Sequence, residues 1–561
     1  MDRKAHEDSP TGHVSDDSKI STQADNDWPN DTGFQPDYEE RTPVQLKVKG
    51  TIPAYAAGVL YRTGPGSYKV DTEKGTTFTL SHWFDGHNEV HRFQLSPAED
   101  GTMRVSYNSR HTVDERINVI KKTGSLKGFT FGQKNDPCKS YFKKFMSFFD
   151  SLDVRGSTPS NVGVTLSVNM PGFDGQTHDQ TSKIKTLHTK TDASLYQKID
   201  PQTLEPIGIA KQESLHPDLK GPLSAAHAKS DSLTGDVYNF NLEFGRATVY
   251  RVFCVSASTG KTSILASFSA PPTYLHSLFL TPDHILLCLW NSQLSKGGLS
   301  MLYHQNILDA ISPYDATKPA TWYVVDRKNG QGVLATYESP AFYCFHTINA
   351  YLEASSSDPS RNDIVADLAA YDNLDVLKRF YYENLLSTGE GHKQYRGGKG
   401  DSTRPSLRRY RLPSVPISPV TEIKQATIDF SAPRYSSPEL PTLNQRYFTK
   451  KHRYTYGVAD RGKAAFVDGL VKFDNDTQTP LFWEQHGHSP GEPIFVADPK
   501  GEQEDDGVLL SVVLDGHAGL SYLLVLDART MEEVGRAEVK GAVGFGFHGV
   551  HVPSGKSAGD F

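Results

Sequence analysis

Short stretches of strand character recur at close intervals along nearly the whole chain, and this pattern limits the fold more than any other feature. They include Val44–Val48, Val59–Tyr61, Val90–Leu95, Met103–Tyr107, Val237–Leu242, Thr248–Val255, Ile264–Phe268, Ile285–Leu289, Trp322–Asp326 and Gly332–Tyr337. The series continues through Leu407–Arg411, Ala465–Phe473, Gly507–Leu514, Leu523–Asp527 and Glu533–Glu538. Gly, Pro, Asn and Asp separate them, as at Asp200-Pro201 and Asp326–Gly332, which is the punctuation of turns between short strands. Regular strand–helix alternation is absent, which argues against a dinucleotide-binding fold or a (β/α)8 barrel. Many short strands over some 500 of 561 residues, with no second composition regime, favour one radial all-β array over a string of small domains. No WD or kelch motif recurs, so periodicity alone gives a large all-β fold for which a propeller is a natural solution.

Two stretches read as helical. Lys139–Leu152 carries Phe142, Phe145, Phe149 and Leu152 at helical spacing, and Asp363–Leu386 carries Val365, Leu368, Leu374, Val376, Leu377, Phe380 and Tyr381 with a break near Asn373. Residues 1–28 are polar and acidic and read as a disordered tail, 29–552 as the folded domain, and 553–561 as a frayed end. With 28 Phe and 26 Tyr the chain has ample material for a core. A net charge of −7 provides no basic field for nucleic acid. Four cysteines without CxxC spacing fit buried thiols in a reducing compartment. The longest fully apolar run, Ile285–Trp290, is far below the ~20 residues of a spanning helix. A soluble, cytoplasmic protein is the expectation, with any membrane contact peripheral.

Of 21 histidines, four have a distinctive setting: His227 in SAAHAKSD, His276 in TYLHSLFL, His346 in FYCFHTINAY and His548 in GFGFHGVH. The last three sit among aromatic and apolar residues at strand-like positions, where an unpaired imidazole is costly to bury. They lie 49, 70 and 202 residues apart along the chain. No local metal finger is formed, and if they meet, a closed ring brings them to one axis. Converging imidazoles suit iron, copper or zinc; separately packed core histidines are the alternative. A metal-bound histidine usually donates its second N–H to a carboxylate, and Asp192 in TKTDASLY, Glu439 in SSPELPTL and Glu492 in GEPIFVAD lie in comparably apolar strings.

An ordered set of motifs extends these residues from about Pro43 to Val552: GVLYRTGPG, HWFDGHNEVHRF, DPCKSYFKKFMSFF, KIDPQTLEPIG, YLHSLFLTPDHI, FHTINAY, YTYGVA, GEPIFVADP, EDDGVLLSVVLD and FHGVH. Together they resemble the carotenoid cleavage oxygenase family. The resemblance implies a seven-bladed β-propeller with a helical and loop cap over one face and a non-haem Fe(II) on the axis. By motif the iron ligands fall on His227, His276, His346 and His548, and the acids that orient them on Asp192, Glu439 and Glu492. Asp192 stands where relatives often carry Glu. His82, His87 and His91 belong to a motif that is structural in the family. The implied reaction is dioxygenase cleavage of one carbon–carbon double bond of a carotenoid with O2, giving two carbonyl products.

The segment from Asn26 is most similar to the fungal subgroup that cleaves torulene to β-apo-4'-carotenal, with β-carotene or apo-carotenal cleavage to retinal as the alternative. Stilbene cleavage, retinoid isomerohydrolysis and a non-enzymatic propeller are the remaining readings. A carotenoid resides in bilayers, so Phe142, Phe145 and Phe149, with Lys139, Lys143 and Lys144 beside them, form a candidate membrane-interface helix. Relatives use this region for membrane attachment, and Cys138 next to it is a candidate for acylation.

Overall fold

A computed structural model describes residues 27–126, 128–134, 160–173, 184–245 and 247–554. Seven antiparallel sheets form a seven-bladed propeller. Blade I consists of Gly58–Ser67, His87–Pro97 and Met103–His111, with His548–Pro553 on its inner edge. Blade II runs from Thr165–Val168 outward through Leu187–Lys190, Leu195–Ile199 and Pro206–Lys211. Blade III is Lys229–Ser230, Val237–Glu243, Val249–Val255 and Thr262–Ser269; blade IV is Phe279–Leu280, His284–Leu289, Ala320–Asp326 and Val333–Ser339. Blade V is Tyr343–Ala354, Asn362–Tyr371, Ser406–Leu412 and Thr427–Ser431; blade VI is Glu439–Thr442, Tyr454–Ala459, Gly469–Asp474 and Thr479–Trp483. In blade VII the inner edge is split into His488–Pro490 and Ile494–Ala497, both paired with Gly507–Asp515, followed by Leu520–Asp527 and Glu533–Glu538.

The two ends of the chain close the ring. His548–Pro553 pairs antiparallel with Gly58–Ser67 in the register Thr63↔His548 to Gly58↔Pro553, one residue past the expected domain end. Near the N-terminus, Lys47–Gly50 forms the rim strand of blade VII against Glu533–Glu538. Radial repetition leaves only short, protected blade edges in place of long open ones that would template aggregation. Order extends to Trp28, which is buried and donates through Nε1 to Ser489 Oγ at 3.2 Å.

The stretch Asp363–Leu386 is not one helix. Asn362–Tyr371 is the second strand of blade V, and all its residues after Asn362 are buried. Flanked by Tyr343–Ala354 and Ser406–Leu412 and covered on both faces, it shows no polar alternation, so its apolar run mimics a buried helix. Helix is confined to two short turns, Asp375–Arg379 and Tyr382–Leu385. These, with Asp114–Thr123, Leu299–His304 and Ile307–Ala310, belong to the cap. The Lys139–Leu152 segment, with Phe142, Phe145 and Phe149, and Cys138 before it, lie outside the described residues. Among the described residues no helix is long and apolar enough to cross a membrane.

Candidate metal centre

Each blade delivers one polar side chain to the axis. The inner edges of blades I, III, IV and V bring His548, His227, His276 and His346, the second and third at the residues leading into their short inner strands. Blades VI and VII bring Glu439 and Glu492, the latter in the gap of its split inner edge, and the hairpin turn of blade II brings Asp192. The inner-edge segments of blades III and IV are joined directly: His227 N–H donates to His276 O at 3.1 Å, and His227 bridges Ser277 in parallel. The structure therefore gathers all four histidines and all three acids singled out in the sequence.

One nitrogen from each of the four imidazoles lies within 4.8 Å of the others. His227 Nε2 is 3.0 Å from His548 Nε2, which is 3.2 Å from His346 Nε2. Three of the rings donate Nδ1–H to a carboxylate: His276 to Asp192 at 2.9 Å, His346 to Glu439 at 2.8 Å and His548 to Glu492 at 2.8 Å. Placing the proton on Nδ1 leaves the Nε2 atoms as bare lone pairs. The Nε2 lone pairs of His346 and His548 thus face each other with no proton between them, an arrangement that a cation stabilises. The spacing also fits, since two nitrogens each about 2.1 Å from one ion at a right angle are about 3 Å apart. All-nitrogen imidazole donors suit iron, copper, zinc or nickel. Asp192, although shorter than Glu, reaches His276 with both oxygens, at 2.9 and 3.0 Å.

The carboxylates are themselves held. Tyr274 Oη donates to Asp192 Oδ2 at 2.7 Å, Tyr371 Oη to Glu439 Oε1 at 2.7 Å, and Arg62 Nη1 to Glu492 Oε2 at 2.7 Å. Backbone N–H groups of Ala226, Leu440 and Gly549 donate to the same three acids. Burial and the neighbouring imidazoles hold His227 and His548 well below the usual histidine range, which keeps them neutral and ready to coordinate. Burial alone would raise the Glu439 carboxyl, but His346, Tyr371 and the Leu440 N–H outweigh it and leave it below the usual carboxylate range. Burial pushes Glu492 up to about 7 against the opposing pull of Arg62.

Three of the imidazoles, His276, His346 and His548, open onto a cavity of about 1630 Å³, larger than the 300–1,000 Å³ common for drug-sized ligands. Its wall next to the histidines is aromatic. Phe84 packs against Phe131, Phe345, Phe380 and Phe547, with ring centroids 4.7 to 5.6 Å away. Phe345 and Phe547 immediately precede His346 and His548, so the same chain segments supply polar centre and apolar wall. Trp83, Phe84 and Asp85 of the HWFDG motif line this cavity. Asp85 also holds the facing segment by accepting from the N–H groups of Phe131 and Gly132 at 2.6 and 2.8 Å. His82, His87 and His91 lie apart from the centre. His82 donates from Nε2 to Leu377 O at 2.9 Å and accepts from Phe84 N–H on Nδ1, while His91 Nδ1 is 2.9 Å from Tyr107 Oη.

Arg62, Tyr274, Tyr371 and the aromatic wall escaped the sequence reading. The available signals were the glycines of GEP and FGFHG, which make room for Arg62, and the aromatic residue preceding His346 and His548.

Comparison with known proteins agrees with this architecture. Residues 33–553 match the family described as retinal pigment epithelial membrane protein. A carotenoid dioxygenase of Neurospora crassa is 43% identical over 564 residues, spanning 95% of this chain and 92% of that protein. A torulene dioxygenase of Fusarium fujikuroi is 42% identical, spanning 94% of each. Among solved structures, a Synechocystis apocarotenoid oxygenase variant superposes with a TM-score of 0.70 at 20% identity over 94% of this chain and 98% of its own. The cobalt-substituted form of that oxygenase gives 0.69 at 21% identity, over 94% and 98%. The chain belongs to the retinal pigment epithelial membrane protein family, the carotenoid cleavage oxygenase group that its motifs resemble.

Proposed function

We propose that this protein is an iron(II) dioxygenase that cleaves one carbon–carbon double bond of a carotenoid, with torulene as substrate and β-apo-4'-carotenal as the longer product. The observation that carries the proposal is the junction of four converging imidazoles, three of which open onto a large, aromatic-walled cavity. Similarity to fungal carotenoid and torulene dioxygenases supports the substrate class.

His227, His276, His346 and His548 are the residues that would hold the ion, and Asp192, Glu439 and Glu492 fix the rings to which they are hydrogen-bonded. Iron(II) held there supplies O2 activation, with the electron-rich polyene as the only electron donor required. The chain's own contribution is positional. Phe84, Phe131, Phe345, Phe380 and Phe547 give the polyene an apolar wall beside the centre and keep bulk water from it. The carboxylates keep the protons of His276, His346 and His548 on Nδ1, so the Nε2 atoms of these three rings stay free to coordinate. Four uncharged donors leave the ion's charge undiminished by its ligands, which favours the ferrous state.

Delivery of so apolar a substrate calls for peripheral membrane contact by a cytoplasmic protein, and the Phe142, Phe145 and Phe149 segment is the sequence's candidate for it.

The test is incubation of iron-loaded protein with torulene and with β-carotene separately, under labelled O2, with short reaction times and reductive trapping because aldehyde oxygens exchange with water. The expected result is cleavage of torulene with label in both carbonyl products. Retinal formed in preference from β-carotene would replace the substrate, label in one product only would replace the reaction class, and turnover without O2 would identify an isomerohydrolase.

A further inference from the structure

Glu492 differs from its two counterparts in how it is held. Asp192 and Glu439 receive neutral phenols, from Tyr274 and Tyr371, whereas Glu492 receives a guanidinium. It also lies between the two inner segments of blade VII, His488–Pro490 and Ile494–Ala497, and belongs to neither ladder. Strand pairing therefore does not by itself fix where its carboxylate sits. Arg62 Nη1 bonds both the side chain, at 2.7 Å, and the backbone oxygen of Glu492, at 3.3 Å. One cation thus clamps main chain and side chain together.

The slot around this guanidinium is built by omission of side chains. A Cβ on Gly549 would come within 2.5 Å of Arg62 Cδ and 3.0 Å of Nη1, and one on Gly491 within 3.2 Å of Nη2. Arg62 is 3% exposed and Glu492 7%, so the pair is shielded from water and its geometry is not averaged by solvent. Arg62 stands opposite Gly549, the neighbour of His548, on the first strand of blade I, and Glu492 belongs to blade VII. The contact crosses the seam where the two ends of the chain close the ring.

We propose that Arg62 is a positioning residue for the four-imidazole centre: by clamping Glu492 across the blade I–VII seam it sets the direction of the His548 ring and hence the affinity of the site for its metal. The proposal rests on the four-histidine reading given above. A purely structural Arg62 would support the seam and leave the metal indifferent, and the two roles separate experimentally. Arg62→Met keeps length and apolar volume, and Arg62→Lys keeps the charge without the planar fork. Each full-length variant is loaded with cobalt(II) as a spectroscopic probe. The readouts are the visible absorption bands of the bound ion, the rate of metal loss to a chelator, and the thermal midpoint with and without metal. His548→Ala runs in parallel.

The expected result is metal affinity weakened about 10-fold in Arg62→Met, the low end of the range for direct partners of a metal-bound histidine, since Arg62 acts through Glu492. The cobalt bands should shift in both variants, and Arg62→Lys should recover part of the affinity. Wild-type bands and metal retention in either folded variant, whatever its thermal midpoint, overturn the proposal. If Arg62→Met does not fold, Arg62→Lys decides by the same criteria. Loss of metal in His548→Ala together with full retention in the Arg62 variants refutes this inference alone, while retention in His548→Ala refutes the four-histidine reading itself.

Discussion

Acidification from pH 7 to pH 5 should weaken the fold by several kcal/mol, a large share of the stability of a typical domain. The source is a set of buried imidazoles away from the metal centre. Burial lowers His82, His188, His452 and His551 to about 4 and His87 and His91 to about 3, from an ordinary 6.5. Once unfolded, each of these groups takes up a proton below 6.5, whereas in the folded state each stays neutral down to its lowered pKa. Stability is therefore intact above 6.5 and is lost as the pH falls toward 4, by about 2 kcal/mol per group at pH 5. Glu89 and Glu492, both raised to about 7 by burial, act in the opposite direction. They bind protons more readily when folded, and each offsets about 2 kcal/mol of the loss over the same interval. His82 offers the cleanest single-site check, because its two partners fix the neutral form: Nε2–H donates to Leu377 O, and Nδ1 accepts from Phe84 N–H. His82→Gln should lower stability at pH 7 by about 1–2 kcal/mol through the lost acceptor. The drop between pH 7 and pH 5 should at the same time shrink by about 2 kcal/mol. Urea unfolding followed by tryptophan fluorescence at both pH values measures each quantity. Equal stability of the wild-type protein at pH 7 and pH 5, or an undiminished drop in His82→Gln, would refute the reasoning.

Alanine at His227, His276, His346 or His548 should remove most bound iron, measured by elemental analysis, and nearly all cleavage, while the circular dichroism of the propeller persists. Glu439→Gln should be milder, with activity reduced about 10–100-fold, and Tyr371→Phe, which removes a single hydrogen bond to Glu439, milder still. Asp367→Asn should lower urea stability by about 3–5 kcal/mol, because it breaks a buried ion pair in which Arg409 bonds both Asp367 oxygens at 2.8 Å. Replacing Phe145 and Phe149 together by Ser should release the protein from liposomes in flotation assays, yet spare cleavage of a detergent-dispersed apo-carotenoid.

Most of the polar centre was legible in the sequence because His276, His346, His548 and the acids lie in apolar strings where a lone histidine or acid is anomalous. His346 between Phe345 and Thr347, and His548 after Phe547, are the clearest cases. That these residues meet at one point was not legible from spacing, since His227 and His548 are joined only by closure of the ring; the family motifs supplied that step. Arg62 was hidden in a strand whose ten residues are all buried, where nothing local distinguishes a functional cation from a structural one. Tyr274 and Tyr371 were hidden among 26 tyrosines, because a phenol announces its partner only in three dimensions. The misread stretch, Asn362–Tyr371, failed for a different reason. Period-2 alternation marks a strand with one wet face, and this strand has none.

Closure of the ring by its two ends also imposes an order in time. A ribosome adding about 5–20 residues per second needs roughly 16–64 s to travel the 321 residues from His227 to His548. Throughout that interval the earlier blades have emerged with His227, then His276, then His346, and no complete donor set exists. The full four-imidazole set therefore exists only in the finished protein, not in the nascent one. A chain starved of metal during synthesis should therefore be as competent to take it up afterwards as one made in its presence.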